Sequence, residues 1–330
     1  MDNTLFINKF LLFNDNMSLI SGVVGNIILI YLLKTQTSKL MKHYARLLIL
    51  HCITDLLYLI IGYVQKHEVY AFDGVVFMTI NGLTTSFSKY VSGWITTMSF
   101  YMEMMELAMM IFDFFYRYNS ICRNYIMSDR QLYTSVTVIY IVVFIQAVPP
   151  FRMSQVMETE YHDNLLRQYL GYVPYYCAAK NTPFDRTMVL SSTVLTNLFC
   201  VFCFMLVLWK INRFLKVNRC VVKSTRSAEI EKQITRLFLV QNLIPIFVLS
   251  IPLLCLISFA FFGFNFVLLG KITRGILCWT GAAKSLAAIC VTPTFRRTFC
   301  EILGFEVKRR HSVFSTQTRS LNNRRVSDRF

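Results

Sequence analysis

Seven long runs of apolar residues, separated by short polar segments, dominate the hydrophobic pattern of this 330-residue chain. The runs lie near residues 17–33, 45–64, 94–116, 131–150, 187–209, 236–261 and 267–291. An α-helix of about 20 apolar residues crosses a bilayer core about 30 Å thick. The pattern therefore predicts an all-α membrane protein, a seven-transmembrane helix bundle. Six spans are the alternative, because the third and seventh runs carry ionisable residues.

The composition favours a membrane protein over a soluble one. Hydrophobic residues make up 55% of the chain and charged residues only 16%, and the mean hydropathy is +0.48. A soluble domain needs more charged surface than this to stay in water. Phe (29) and Tyr (17) are abundant whereas Gly (12) and Pro (7) are sparse, which favours long helices over the short alternating strands of a membrane β-barrel.

The chain is predicted to divide into four segments. Residues 1–16 are a short extracellular N-terminus, and residues 17–291 are the transmembrane domain, whose first run lacks the features of a cleaved signal peptide. Residues 292–305 are predicted to form an amphipathic juxtamembrane helix, because apolar residues recur there at helical spacing. Residues 306–330 are polar, basic and rich in Ser and Thr, which predicts a disordered cytoplasmic tail.

The distribution of basic residues predicts how the bundle is oriented. One side of the predicted spans collects 24 of the 34 Lys and Arg residues with six acidic residues, whereas the other side holds seven basic and eight acidic residues. Basic loops remain in the cytoplasm, so the N-terminus is predicted outside and the C-terminus inside. Topology in the lipid bilayer thus accounts for the net charge of +16, and no nucleic-acid partner is predicted.

Motifs for metal binding and catalysis are missing from the sequence. The ten cysteines fit no zinc-binding spacing, so neither a metal site nor a cofactor is predicted. The chain also lacks the patterns HExxH and GxSxG and a Gly-x-Gly-Asp type of acid pair. An enzyme is therefore not predicted.

Ionisable residues inside the predicted helices are the first candidates for function, because each costs several kcal/mol in hydrocarbon unless it is paired or hydrated. With a rise of about 1.5 Å per residue from the cytoplasmic helix ends, Asp55 and Glu106 lie roughly 15 Å deep and Lys284 roughly 10 Å deep. Our hypothesis is a buried ionic cluster in which the Lys284 ammonium neutralises one or both acids. The alternative is that Lys284 extends to the inner interface and Asp55 is hydrated.

A second acid of the third helix suggests a ligand pocket. Glu103 lies three residues before Glu106 and shares its helix face, with methionines alongside. Flexible Met side chains suit an apolar ligand, so Glu103, Met102 and, on the sixth helix, Gln241 are candidates for the pocket lining. A proton or cation pathway and ordinary helix packing are the alternatives.

The inner end of the third helix carries an Arg between two Tyr residues. Asp113 precedes Arg117 by four residues, so its carboxylate can hold the guanidinium in a latch that opens on activation. A single Arg here is also an ordinary end of a membrane helix. The basic segment 210–236 predicts cytoplasmic extensions of helices five and six, a surface for an acidic partner or anionic lipid.

Several motifs, scattered in order along nearly the whole chain, resemble those of one family. They are Gly25-Asn26, Asp55, Phe115-Tyr116-Arg117-Tyr118, Glu231 to Arg236, Gln241 to Pro245, and Pro293 to Arg297. In these motifs the chain is similar to the nematode seven-transmembrane G-protein-coupled chemoreceptors of the Str superfamily, nearest to its Str and Srd branches.

The resemblance implies an olfactory-type receptor in the plasma membrane of sensory cilia of chemosensory neurons. Such a receptor binds a small environmental molecule, such as an odorant, and activates a heterotrimeric G protein. Arg117 matches the G-protein-facing arginine, and Tyr116, Tyr118, Arg226 and Arg236 are expected to contribute to coupling. A transporter or ion channel that uses the intramembrane carboxylates is the alternative, although the chain shows no internal repeat.

Three features depart from the usual pattern of such receptors. Residues 65–121 contain no Cys, so the disulfide between helix three and the second outer loop is not expected. Helix seven lacks Asn-Pro-x-x-Tyr, and helix six lacks Cys-Trp-x-Pro. Activation through the switches that those motifs provide is therefore in question here.

Two kinds of modification site match short motifs. Asn16-Met17-Ser18 is a glycosylation sequon on the predicted outer side, with a chance match as the alternative. Ser312 and Ser327 each follow a pair of Arg residues, a spacing that basophilic kinases accept, and phosphate there would cancel local positive charge.

Overall fold

The structure, a computed structural model, describes most of the chain. The described residues are 2–37, 42–73, 75–123, 125–156, 159–179, 194–206, 208–210, 213, 225–262, 264 and 267–305. Ser312, Ser327 and the predicted tail 306–330 lie outside them. We use "outer" for the end of the bundle that is predicted to be extracellular, and "inner" for the opposite end.

Long helices account for most of the described chain. In chain order they are α1 (Asp2–Thr35), α2 (Lys42–Gln65), α3 (Lys89–Cys122), α4 (Asp129–Ser154), α5 (Glu160–Leu170), α6 (Val194–Lys210), α7 (Thr225–Pro245), α8 (Ile251–Phe261), α9 (Val267–Leu277), α10 (Thr280–Val291) and α11 (Pro293–Ile302). Helices α1, α2, α4 and the α7–α8 segment each contain a stretch long and apolar enough to cross a membrane. Helix α3 is equally long but carries four ionisable residues along its inner half, Glu103, Glu106, Asp113 and Arg117.

The first helix begins earlier than the hydropathy pattern predicts. Residues 2–16, predicted as a short N-terminal segment before the helix, are helical and continue α1 beyond the outer end of the apolar run. The reason is tertiary contact with α9, since the Asn14 amide donates to the Gly275 carbonyl at 3.0 Å and the Trp279 indole donates to Asn14 Oδ1 at 2.9 Å.

The sixth and seventh spans are each interrupted. A π-helical turn, Ile246–Ser250, joins α7 to α8 directly after Pro245, where the missing proline N–H leaves a gap in the helical hydrogen-bond ladder. The seventh span breaks between α9 and α10, and the carbonyl of Cys278 at this break accepts a hydrogen bond from Ser18 Oγ at 2.7 Å. Ser18 of α1 thus provides a hydrogen-bond donor for a backbone carbonyl at the break.

Close packing of α1 on the seventh span depends on small residues. A Cβ atom at Gly25 would lie 2.6 Å from Ser285 Oγ, so α1 approaches α10 more closely than a larger residue permits. The next residue, Asn26, donates to the carbonyls of Gly22 at 2.9 Å and Gly281 at 3.4 Å. The Gly25-Asn26 motif therefore fixes the contact of α1 with α10.

A small α/β unit, which the sequence analysis did not predict, covers part of the outer end. Strands β1 (His67–Phe72), β2 (Val75–Ile80), β3 (Gln155–Val156) and β4 (Tyr175–Ala179) form an antiparallel sheet in the order β1-β2-β4-β3. Helix α5 packs on this sheet through Leu165 and Leu166, which join a separate hydrophobic core with Phe72 and Phe77. We call β1–β4 with α5 the outer cap.

The outer cap touches the bundle where β1 crosses α9. A Cβ atom at Gly270 would lie only 2.4 Å from the backbone oxygen of Val69, so the strand lies directly on the helix backbone. Gly62, in α2, has no atom within 4 Å of the corresponding position.

We expect Gly270→Ala to lower the thermal unfolding midpoint of the purified protein, because the new methyl group must push β1 off α9, at a cost of about 1–3 kcal/mol. Gly62→Ala is the matched control and is expected to leave the midpoint unchanged or raise it, because Ala is favoured over Gly in helices by about 0.5–1 kcal/mol. Equal midpoints for the two variants would contradict this contact.

Candidate functional site

A buried ionic cluster joins three helices in the middle of the bundle. Lys284 Nζ of α10 donates to Asp55 Oδ1 of α2 and to Glu106 Oε2 of α3, both at 2.6 Å. All three side chains are at most 5% exposed. The structure therefore brings together the three residues of the hypothesised cluster, and we call them the core cluster.

The core cluster contains one ammonium group and two carboxyl groups. The second carboxyl oxygen of Glu106, Oε1, is buried without a hydrogen-bond partner among the described residues. Next to it is a cavity of about 10 Å³ lined by polar side chains of α2 and α7, including His51, Gln241 and Asn242. This volume is close to what one water molecule requires, so the core cluster borders a small polar space on its inner side.

Asp113 and Arg117 have other partners than the latch hypothesis assigns them. Asp113 Oδ1 lies 2.7 Å from His51 Nε2, so this acid links α3 to α2. Arg117 Nη2 donates to Thr235 Oγ1 of α7 at 2.8 Å, and the side chain is buried. The ion pairs of the described residues do not join Asp113 to Arg117. In this structure the contacts of both side chains therefore reach neighbouring helices, and the latch stays a prediction.

The other residues predicted for coupling lie on α3 and α7. Tyr116 is buried, and Tyr118 is half-buried with Lys210 Nζ 5.7 Å from its ring centroid. Arg236 is exposed on α7. Arg226 lies in the first turns of α7, and its side chain is outside the described residues.

The three residues predicted to line a ligand pocket do not lie at a common cavity. Glu103 is buried towards the outer end, with Oε1 3.2 Å from His67 Nε2 of β1. Gln241 lines the small cavity beside the core cluster. Met102 is half-buried and lines none of the cavities described here. Helical spacing could not show which groups face each other, so these three residues stay candidates.

A second ionic network fastens the outer end, and sequence reasoning missed it. Arg274 of α9 donates to Glu68 Oε1 of β1 at 2.6 Å and to Asp15 Oδ2 of α1. The Tyr70 hydroxyl donates to the other oxygen of Glu68. We call Arg274, Asp15, Glu68 and Tyr70 the outer network. The available signal was an Arg inside the seventh apolar run, but its partners lie more than 200 positions away in the sequence.

A cavity of about 50 Å³ lies next to the outer network, and Asp15 and Arg274 form part of its wall. It is enclosed by α1, α2 and α9. Its walls are apolar at Leu19, Leu59 and Leu277, and ionisable at Asp15, Lys66, His67 and Arg274. We call it the outer cavity. It combines a small apolar floor with charged groups, which is the usual composition of a small-molecule site.

A larger groove opens sideways between α3, α4 and α6. Its volume is about 840 Å³, and its lining is almost entirely apolar, with side chains such as Phe112, Val143 and Phe199. One polar pair crosses its edge, where Gln146 Nε2 donates to Thr196 Oγ1 at 2.8 Å.

Asn16, the predicted glycosylation site, lies within α1 and is half-buried. Its Oδ1 atom accepts a hydrogen bond from the Tyr63 hydroxyl at 3.0 Å. An acceptor asparagine is expected in an accessible loop, so this geometry disfavours modification of Asn16. Within the described ranges, no group of three His, Cys, Asp or Glu side chains is placed to hold a metal ion.

The comparisons with known proteins agree with this arrangement. The sequence profile of serpentine type seven-transmembrane GPCR chemoreceptors, Str, matches residues 13–300 of the chain. Among solved structures, the crystal structure of squid rhodopsin is similar, with a TM-score of 0.64 at 14% sequence identity over 89% of this chain and 84% of that chain. Such a likeness concerns the fold alone, and it confirms the predicted seven-helix bundle. A comparison with curated protein sequences finds no match.

We expect Lys284→Met to destabilise the protein strongly, because two buried carboxyl groups then lose their cation. Breaking a buried ion pair costs about 3–5 kcal/mol. Adding Asp55→Asn or Glu106→Gln to Lys284→Met is expected to restore part of the loss, since it removes one of the uncompensated acids. Thermal unfolding of the purified variants measures both effects, and strictly additive losses in the double variants would disprove the coupling.

Proposed function

The chain belongs to the Str family of serpentine seven-transmembrane GPCR chemoreceptors, and on this basis we propose that it binds a small environmental molecule and activates a heterotrimeric G protein. We also propose that the receptor is located in the plasma membrane of the sensory cilia of chemosensory neurons. The single observation that supports coupling best is the position of Arg117.

Arg117 lies in the last two turns of α3, near the inner end of the bundle, and donates a hydrogen bond to the neutral hydroxyl of Thr235 on α7. A hydrogen bond of a charged group is worth about 1.5–3 kcal/mol. A movement of α7 away from α3 would break this bond and make Nη2 of the planar guanidinium available as a donor. Such a group suits the backbone carbonyls or carboxylates of a partner helix.

The Asp113–His51 contact and the core cluster lie between this arginine and the outer cavity. They join α2, α3 and α10 at two levels of the bundle. Because buried ion pairs resist separation, these helices are expected to move together. A ligand that shifts α9 at the outer end would therefore act on α10 and on the inner end of α3. This is a route for population shift between two packings of the bundle.

The ligand is proposed to bind within the outer half of the bundle. Glu103, Met102 and Gln241 remain candidates for contact with it or for positioning its neighbours. The outer cavity, whose wall includes Asp15, Lys66 and Arg274, is the candidate site near the predicted extracellular side.

Membrane orientation is tested with epitope tags on intact cells. A tag before Met1 is expected to be reached by antibody without permeabilisation, because the basic loops hold the opposite face in the cytoplasm. A tag after Phe330 is expected to stain only after permeabilisation. The reverse pattern would exclude coupling through Arg117, since the arginine would then face outwards.

Coupling is tested by calcium imaging of cells that express the receptor with a G-protein reporter and are challenged with an odorant panel. We expect Arg117→Ala to abolish the response at equal surface expression. Thr235→Val, which keeps the side-chain shape but removes the hydroxyl, is expected to raise the basal signal several-fold, because it removes a hydrogen bond that holds the guanidinium to α7. Arg297→Ala, an exposed arginine of α11, is the control and is expected to respond like the wild type. A wild-type current without G protein would instead indicate a channel.

A further inference from the structure

We infer that the outer cavity binds a small carboxylate whose charge pairs with the ammonium group of Lys66. This inference deepens the proposed function, on which it rests for the claim that filling the cavity produces a signal. It names the chemical class of the ligand and the residue that recognises it.

The size of the outer cavity limits the ligand to a few atoms. One water molecule needs about 10–15 Å³, so a cavity of about 50 Å³ accepts roughly four such units. A short-chain carboxylate such as propionate, with five heavy atoms, matches that size. The apolar side chains Leu19, Leu59 and Leu277 suit its short tail, and the ionisable rim suits its charged head.

Among the described residues, the charged side chains around the outer cavity form ion pairs except at one residue. Arg274 takes both Asp15 and Glu68, and His67 lies 3.2 Å from Glu103. Lys66 forms no ion pair with any described residue, and its Nζ atom lies 4.4 Å from the ring centroid of Tyr63, which also lines the cavity. Among the described cations of the cavity wall, Lys66 is therefore the one available to an incoming anion.

The electrostatic environment of Lys66 favours a bound anion. Burial lowers the pKa of Lys66 below its usual value, Arg274 lowers it further, and Asp15 partly opposes both effects. An ammonium group that is desolvated without a close counter-ion is stabilised when a carboxylate binds beside it. The cation–π contact with Tyr63 holds the group at the cavity but does not neutralise it.

The backbone at Lys66 supports a specific need for this side chain. Lys66 follows the last residue of α2 with φ of +47°, a left-handed conformation. Gly adopts this conformation without strain and is the preferred residue at the end of a helix. A lysine here is strained, and such strain persists where the side chain has a use. The competing use is a favourable contact of the ammonium with the carboxyl end of α2, and the experiment separates the two.

The test is thermal unfolding of the purified full-length receptor in lipid nanodiscs, titrated with propionate at constant ionic strength. We expect propionate to raise the unfolding midpoint in a saturable way. Propionamide, which has the same shape without charge, is expected to need at least tenfold higher concentration, and propylammonium is expected to have no effect.

The variants Lys66→Gly and Lys66→Asn both tolerate a positive φ, so two independent proteins report on the loss of the ammonium. Each is expected to weaken the propionate effect at least tenfold, with its own midpoint near or above that of the wild type. Lys66→Arg keeps the charge and is expected to stay within about threefold of the wild type. Equal effects of propionate and propionamide, or an unchanged propionate titration in both neutral variants, would overturn the inference.

The readout separates this inference from the proposed function, because unfolding in nanodiscs involves no G protein. Propionate binding that depends on Lys66 but gives no response in reporter cells would support the site and contradict the proposed signalling by this ligand. A response of reporter cells to other molecules, without any Lys66-dependent effect of propionate on unfolding, would support the receptor and overturn the carboxylate site.

Discussion

Burial of the Lys284 ammonium between two carboxyl groups is the constraint on which the rest of the bundle depends. Each of these ions would cost several kcal/mol in hydrocarbon if it stood alone. Contacts of 2.6 Å to Asp55 and Glu106 offset that cost only while α2, α3 and α10 stay together. The helices therefore cannot slide or separate independently. The positions of α9, just outside the cluster, and of Arg117, further in along α3, are set relative to this shared contact.

The two ends of the bundle are fastened by different chemistry. At the outer end, Arg274 forms two ion pairs that tie α9 to α1 and to the outer cap. At the inner end, Arg117 meets the neutral hydroxyl of Thr235. A hydrogen bond to a neutral hydroxyl is easier to break than a pair of buried ions, and in the proposed mechanism the inner end of α7 is the part that moves. An inner face that opens while the middle stays joined suits a protein that passes a signal inwards.

Sequence reasoning succeeded where a property belongs to a single segment. Hydropathy placed the spans, because a helix in lipid must be apolar along its whole length whatever its neighbours are. Helical rise placed Asp55, Glu106 and Lys284 at similar depths, which made their meeting a reasonable hypothesis. It did not predict the contact of Asp113 with His51 of α2. It also missed the outer cap, whose strands of six residues or fewer are too short to be recognised alone.

The sequence by itself thus determined the seven-helix class and the family, and it identified Asp55, Glu106 and Lys284 as candidates for one cluster. The tertiary structure alone decided which charges face each other, that α1 extends to cap the break between α9 and α10, and that Lys66 lies at the wall of a cavity. The physical reason is the distance along the chain over which each kind of interaction acts. Apolar length and helical periodicity act within one helix, whereas an ion pair such as Arg274–Glu68 joins residues 206 positions apart. Such a pair depends on helix rotation and packing, which no single segment encodes.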